Sequence, residues 1–339
     1  MAVSTVLLSS SPYEQTPALA AITAARPRVP TGKAVTIAFG GDVHFTGSSR
    51  QALSGGLAPI TPVLAGADIA VVNLETAVTD RGSPAAKQYV FRAPANAFTA
   101  LRSAGVDVVT MANNHGMDYG VQGLRDSLAA ARGLGVATVG IGLDATQAFA
   151  PYRTRVNGQR IAVIGATQVL DTWLAAAWSA GPGKPGLASA QDDERLLRVV
   201  RAARATSDTV VVDLHWGQER VGCPTAPQRS LAARVVAAGA DVVVGSHAHV
   251  LLGAGYLDGA YVDYGLGNFV FYATSDPATR SGVLTLTVRG RAVTASTWTP
   301  ATIWRGVPVP LTGSAARTAT TAWRRLRGCT GLSATQAAS

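Results

Sequence analysis

The chain has 339 residues, 47% of them hydrophobic and 14% charged, a balance that excludes a disordered polymer and supplies a large buried core. Lys and Arg number 29 against 20 Asp and Glu, a net charge of +9 that raises the local concentration of polyanions. No apolar run approaches the roughly 18 to 20 residues of a membrane-spanning helix, and Cys223 and Cys329 form no Cys-x-x-Cys pair, which excludes a zinc ribbon and a thioredoxin-type redox site.

Residues 1–33 are rich in Ala, Ser, Thr and Pro without periodicity and read as a flexible lead or linker. Residues 1–10 are mildly apolar but lack the basic flank of a signal peptide. From residue 34 onward, short apolar runs bounded by Gly, Asn or Asp alternate with amphipathic stretches, the pattern of an α/β protein. Strands are expected at 34–39, 67–72, 106–111, 209–214 and 241–244, and helices at 96–104, 120–133, 192–205 and 227–238, the last opened by Pro227.

From residue 152 hairpins join the pattern, with turns at Asn157-Gly158, Asp258-Gly259 and Arg289-Gly290. Parallel units followed by hairpins predict two packed sheets with helices outside, a helix/sheet/sheet/helix sandwich over 34–305. Residues 306–339 are expected to form a helical segment and tail, with an Arg-rich stretch at 323–327 that reads as a solvated face or a contact for an anionic polymer. The two cysteines are either a long-range disulfide, which suits an extracytoplasmic protein, or unrelated thiols.

All five histidines, His44, His115, His215, His247 and His249, follow the ends of expected strands. In open α/β sheets, ligands bind at the carboxyl ends of strands, so residues distant in sequence converge there. Asp42, Glu75, Asn113, Asn114 and Asp118 occupy the same ends, giving a nitrogen and oxygen donor set without thiolate that suits hard or borderline divalent ions. Asp42 and His44, like His247 and His249, are separated by one residue and point the same way in extended backbone. The inventory exceeds one tetrahedral site and fits two ions with a bridging carboxylate, a centre whose chemistry is hydrolysis. Each residue also has a plainer reading: a turn carboxylate for Asp42, a satisfied core histidine for His215, a cap for Glu75, a turn for Asn113, support of a helix entry for Asp118.

Gly41-Asp42-Val43-His44, Asn113-Asn114-His115, His215 and Gly245-Ser246-His247-Ala248-His249, in that order, resemble the calcineurin-like metallophosphoesterase superfamily. Asn73-Leu74-Glu75, Phe91-Arg92-Ala93-Pro94, His215-Trp216-Gly217-Gln218-Glu219 and Tyr264-Gly265-Leu266-Gly267-Asn268-Phe269 resemble its capsule-synthesis branch, the CapA (poly-γ-glutamate) family. The resemblance implies one ion on Asp42, His44 and His249, another on Asn114, His215 and His247, and Glu75 between them. It also implies that His115 stabilises the transition state or protonates the leaving group. The capsule branch often has an apolar residue where His44 stands, so a complete phosphoesterase centre is expected here. Arg92 is the candidate to clamp a substrate carboxylate or phosphate. Glu219 is a partner of the centre or an exposed charge.

The expected function is bimetal-dependent, phosphoesterase-like hydrolysis in capsule or cell-wall polyanion metabolism, with two divalent ions (Mn, Fe or Zn) as cofactors. The expected partners are an anionic polymer or phosphoester substrate and a capsule synthesis membrane complex. The alternatives are a non-catalytic polyanion-binding component and a γ-glutamyl amide hydrolase. An extracytoplasmic or cell-envelope location follows from the same resemblance. Nucleic acid is excluded as a partner, because no recognition motif for it is visible.

Overall fold

The computed structural model describes residues 28–336. The expected lead therefore lies mostly outside the described residues, and residues 1–10 wholly so. Residues 28–33 are held against the body, where Arg28 reaches Asp241 at 2.5 Å and Thr31 donates to the Arg289 carbonyl at 3.2 Å.

Runs of Val, Ile and Ala bounded by turn residues build two mixed sheets. The first runs in the order Val307–Pro310, Ala292–Trp304, Arg280–Arg289, Val35–Val43, Ile69–Leu74, Val108–Thr110, Ala137–Val139, with Asn268–Val270 also paired to Val35–Val43. The second runs Ala254–Leu257, Ala260–Asp263, Val242–Ser246, Thr209–His215, Gln159–Thr167, Tyr152–Val156. Each sheet has a parallel centre, and the expected turns close antiparallel hairpins at its margins. Asn157 and Gly158 both adopt positive φ (51° and 85°), as a two-residue turn matching the strand twist requires.

Strand alternation decides the layers. Ile37, Phe39, Val71 and Val108 of the first sheet pack between the sheets on Val163, Val211 and Val244 of the second. The opposite faces take the helices. Phe98 and Leu101 of Asn96–Ser103, with Leu124 and Leu128 of Gly120–Leu134, cover the first sheet. Leu196 and Val200 of Glu194–Thr206, with Leu231 and Val235 of Ala226–Ala238, cover the second. The four-layer α/β sandwich is therefore the fold, and each such buried side chain contributes about 1.5 to 3 kcal/mol. Thr225 caps Ala226–Ala238 in a reciprocal box with Gln228, two residues ahead of the Pro227 start read from the sequence.

The first sheet continues past residue 305, because Val307–Pro310 pairs with Ala292–Trp304. The helix Gly313–Arg325 that follows buries only Trp323, whose ring lies nearly parallel to that of Trp298 at 4.8 Å. Cys329, just beyond it, is disulfide-bonded to Cys223 across 106 residues. Among the described residues no helix is long and apolar enough to cross a membrane.

Candidate metal centre

The parallel strands of both sheets deliver their ends to one place. Val35–Val43 brings Asp42 and then His44, Ile69–Leu74 brings Asn73 and Glu75, Thr209–His215 brings His215, and Val242–Ser246 leads into His247 and His249. Close backbone approach demands glycine at two points. A Cβ on Gly41 would sit 1.9 Å from the Gly267 carbonyl oxygen, and one on Gly245 would sit 2.2 Å from the Trp216 indole nitrogen. His247 and His249 adopt positive φ (91° and 55°), a strained conformation for residues other than glycine that clusters at functional sites.

Asn73 Nδ2 donates to Asp42 Oδ1 at 2.7 Å and lies 3.0 Å from His215 Nδ1. Asn113 in turn donates to Asn73 Oδ1 and the Leu74 carbonyl, both at 2.9 Å, so it orients the centre from behind. Asp42 Oδ2 accepts the His247 N–H at 3.1 Å and lies 3.3 Å from His249 Nδ1. His215 Nε2 lies 2.8 Å from Asn114 Oδ1 and 3.3 Å from Glu75 Oε1. Asp42, Glu75 and His249 have donor atoms within 4.8 Å of one another, and so do Glu75, His215 and His247. Glu75 belongs to both groups, as a bridging carboxylate must.

Burial gives this cluster its electrostatic character. Asp42 and Glu75 are fully buried and His215 almost so. Both Glu75 oxygens and His247 Nδ1 lack a hydrogen-bond partner among the described residues. Orphaned buried polar atoms are costly, and divalent cations supply what they lack, so the residues fit a bimetal centre. Burial, and then the Asp42 charge, push the Glu75 carboxyl up to about 8. Burial also acts to raise Asp42, but the His249 hydrogen bond and charge overcome it and hold the group at about 2. For His249, burial favours the neutral ring, yet Glu75 and Asp42 raise it to about 9. Burial depresses His215 to about 3 and holds His247 well below its ordinary value.

Two of the expected site residues stand apart from these ligand groups. His44 joins neither ligand group. Its ring packs among Phe91, Phe271 and Tyr272 at 4.1 to 4.6 Å, while Nδ1 accepts the Thr46 N–H at 3.0 Å and Nε2 has no hydrogen-bond partner among the described residues. That aromatic box is the kind of setting an apolar residue would also fill. Arg92 is exposed, its guanidinium 4.9 Å over the Tyr119 ring. In the short strand Arg92–Ala93, alternation sends Arg92 away from the side where neighbouring Phe91 meets the histidines.

His115 lines a cavity of about 280 Å³ beside the centre, with Tyr89, Glu219, Arg220, His249 and Tyr272. Its Nδ1 lies 2.6 Å from Asp118 Oδ2, so Asp118 does more than support a helix entry. The Phe91 ring is stacked between His115 and His44, at 4.2 and 4.6 Å. Lys87, unremarkable in sequence, is only 6% exposed at its side chain. It donates to the Asn114 carbonyl and lies 3.0 Å from Asp118 Oδ1. No motif announces it, because it comes from an irregular loop.

A two-sheet sandwich with carboxylates, histidines and amides at shared strand ends is a metallophosphoesterase-like fold. Among solved structures, a phosphatase from Mycoplasma pneumoniae superposes with a TM-score of 0.50 at 15% identity, covering 80% of this chain and 95% of that one. A hypothetical protein from Thermus thermophilus does so with a TM-score of 0.50 at 15% identity, over 78% and 98%. Residues 36–273 match the model of the bacterial capsule synthesis protein PGA_cap, and the chain belongs to that family.

The PGA biosynthesis protein CapA of Bacillus subtilis is 35% identical over 216 residues, 62% of this chain and 55% of that protein. The capsule biosynthesis protein CapA of Bacillus anthracis is 33% identical over 218 residues, 63% of this chain and 52% of that protein. A probable polyglutamine synthesis accessory protein of Mycobacterium tuberculosis is 30% identical over 211 residues, 60% of this chain and 55% of that protein. The chain spans about half the length of these relatives.

Proposed function

We propose that the chain is a bimetal-dependent, phosphoesterase-like hydrolase of capsule or cell-wall polyanion metabolism. The observation that carries this reading is Glu75, a buried carboxylate that belongs to both ligand groups and whose oxygens have no hydrogen-bond partner among the described residues. Asp42 and His249 would hold one ion with Glu75, and Asn114, His215 and His247 would hold the other. Two divalent ions bound there would supply Lewis acidity for activating a water and offsetting negative charge in the in-line displacement at phosphorus.

This chain's residues do the rest. Asn73 and Asn113 fix Asp42 and His215 in orientation. Phe91, Phe271 and Tyr272 wall the site and limit water. Asp118 occupies His115 Nδ1, which leaves Nε2 to pass a proton to a leaving group on the cavity side. The +9 charge favours an anionic polymer or phosphoester as substrate. The disulfide supports an extracytoplasmic location, and the relatives named for capsule biosynthesis support a part in making that polymer.

The test is metal content per chain by inductively coupled plasma mass spectrometry, on protein purified without chelator or affinity tag, beside the His247→Ala, His249→Ala double variant. Two ions per chain, lost in the variant, are expected, with turnover of phosphomonoesters, phosphodiesters or γ-glutamyl amides by the loaded protein. Wild type that takes up no Mn, Fe or Zn would overturn the hydrolase. A non-catalytic polyanion-binding role, which the net charge alone sustains, would then stand.

A further inference from the structure

Glu219 takes no part in the ligand set above, yet one of its carboxylate oxygens lies within 4.8 Å of ring nitrogens of both His247 and His249. Donors bound at about 2.0 to 2.2 Å to one ion lie up to about 4.4 Å apart, so this third group is near coordination spacing. The backbone holds it there. The N–H of Arg220 donates at 2.8 Å to the carbonyl of Ala248, the residue between the two histidines. Arg220 has φ of 60°, so left-handed non-glycine residues occur on both facing segments. Cys223, three residues on, fastens the same loop to Cys329. The His247 ring beside Glu219 is buried, and its Nδ1 has no hydrogen-bond partner among the described residues. An exposed glutamate needed only for solvation requires none of this.

We propose that Glu219 is a metal ligand that closes the centre from the solvent side, adding its carboxylate to the ion assigned to Asp42, Glu75 and His249, with which it shares the cavity wall through His249. The inference rests on the metal centre proposed above and adds to it a carboxylate at its accessible face. Being exposed, Glu219 is the ligand an entering ion meets first, and it sets how tightly the outer position holds.

The experiment is calorimetric titration of Mn2+ into chelator-stripped full-length protein: wild type, Glu219→Gln, Glu219→Asp and Glu75→Gln. Glu219→Gln is expected to weaken one binding step by about 10- to 100-fold, to leave the other step intact and to keep the melting temperature of the metal-free protein. Glu219→Asp should recover part of the loss. If Glu219→Gln titrates like wild type while Glu75→Gln is weakened, Glu219 is no ligand and the bimetal centre survives. Wild type that binds no Mn2+ would remove both.

Discussion

His115 and Asp118 form a dyad three residues apart, with Nδ1 2.6 Å from Oδ2, and the same oxygen accepts the N–H of Phe91 at 2.6 Å. The carboxylate thus fixes the imidazole and, through Phe91, the aromatic wall between His115 and His44. Asp118→Asn keeps the shape but cannot stabilise a protonated imidazole. For any phosphoester the wild type hydrolyses, kcat is expected to fall by about 10² or more, with the metal content unchanged. An equal loss of metal would mean that the dyad serves only architecture.

Metal uptake should depend on pH with a defined sign. In the metal-free protein burial pushes the Glu75 carboxyl up and, against the pull of burial, the Glu75 and Asp42 carboxylates push the His249 imidazole up, so this coupled pair holds on to a proton near neutral pH. Ligands bind metal deprotonated, so apparent affinity rises from about pH 6 to 9 with proton release. Titration near neutral pH in buffers of different ionisation enthalpy should report that release. A pH-independent affinity would contradict the assignment of these two groups as ligands.

Asp263 is fully buried and its Oδ2 has no hydrogen-bond partner among the described residues, and burial pushes the carboxyl up to about 7. A raised acid stabilises the fold in full below its unfolded value near about 4, and that contribution is lost as pH rises through the folded value. The metal-free protein should therefore lose stability between about pH 4 and 7 partly through this residue. Asp263→Asn should flatten that slope in urea unfolding at several pH values, whatever its constant effect. An unchanged slope would place the titration elsewhere.

The Cys223–Cys329 bond joins residues 106 apart in the chain. Replacing both cysteines by Ser should cost about 2 to 5 kcal/mol and lower the melting temperature. Because Cys223 lies on the loop of Glu219 and Arg220, the same variant should also loosen that loop, read as faster amide exchange over residues 217–224. Unaltered exchange there would limit the bond to the C-terminal segment.

The layers are legible in the sequence because each central strand is a run of Val, Ile or Ala ending in polar residues, and each covering helix has a clear apolar stripe. The gathering of Asp42, Glu75, His215, His247 and His249 follows from that pattern, since parallel strands share an end. His44 and Arg92 escape it for a local reason. Where a side chain points after a bulged or two-residue strand depends on pairing partners that the linear sequence does not reveal. Lys87 is invisible in the sequence because only the fold carries its loop to Asn114 and Asp118. Both cysteines are visible there, but their pairing depends on the C-terminal helix returning to the loop after Thr209–His215.

The near-parallel contact of Trp298 and Trp323 makes the molecule its own gauge. Two indoles stacked at 4.8 Å sense each other electronically, so their near-ultraviolet absorption and circular dichroism should change when the rings part. One ring belongs to the sheet and the other to the helix Gly313–Arg325, which is otherwise barely buried. That indole signal therefore reports whether the helix is seated, without any label.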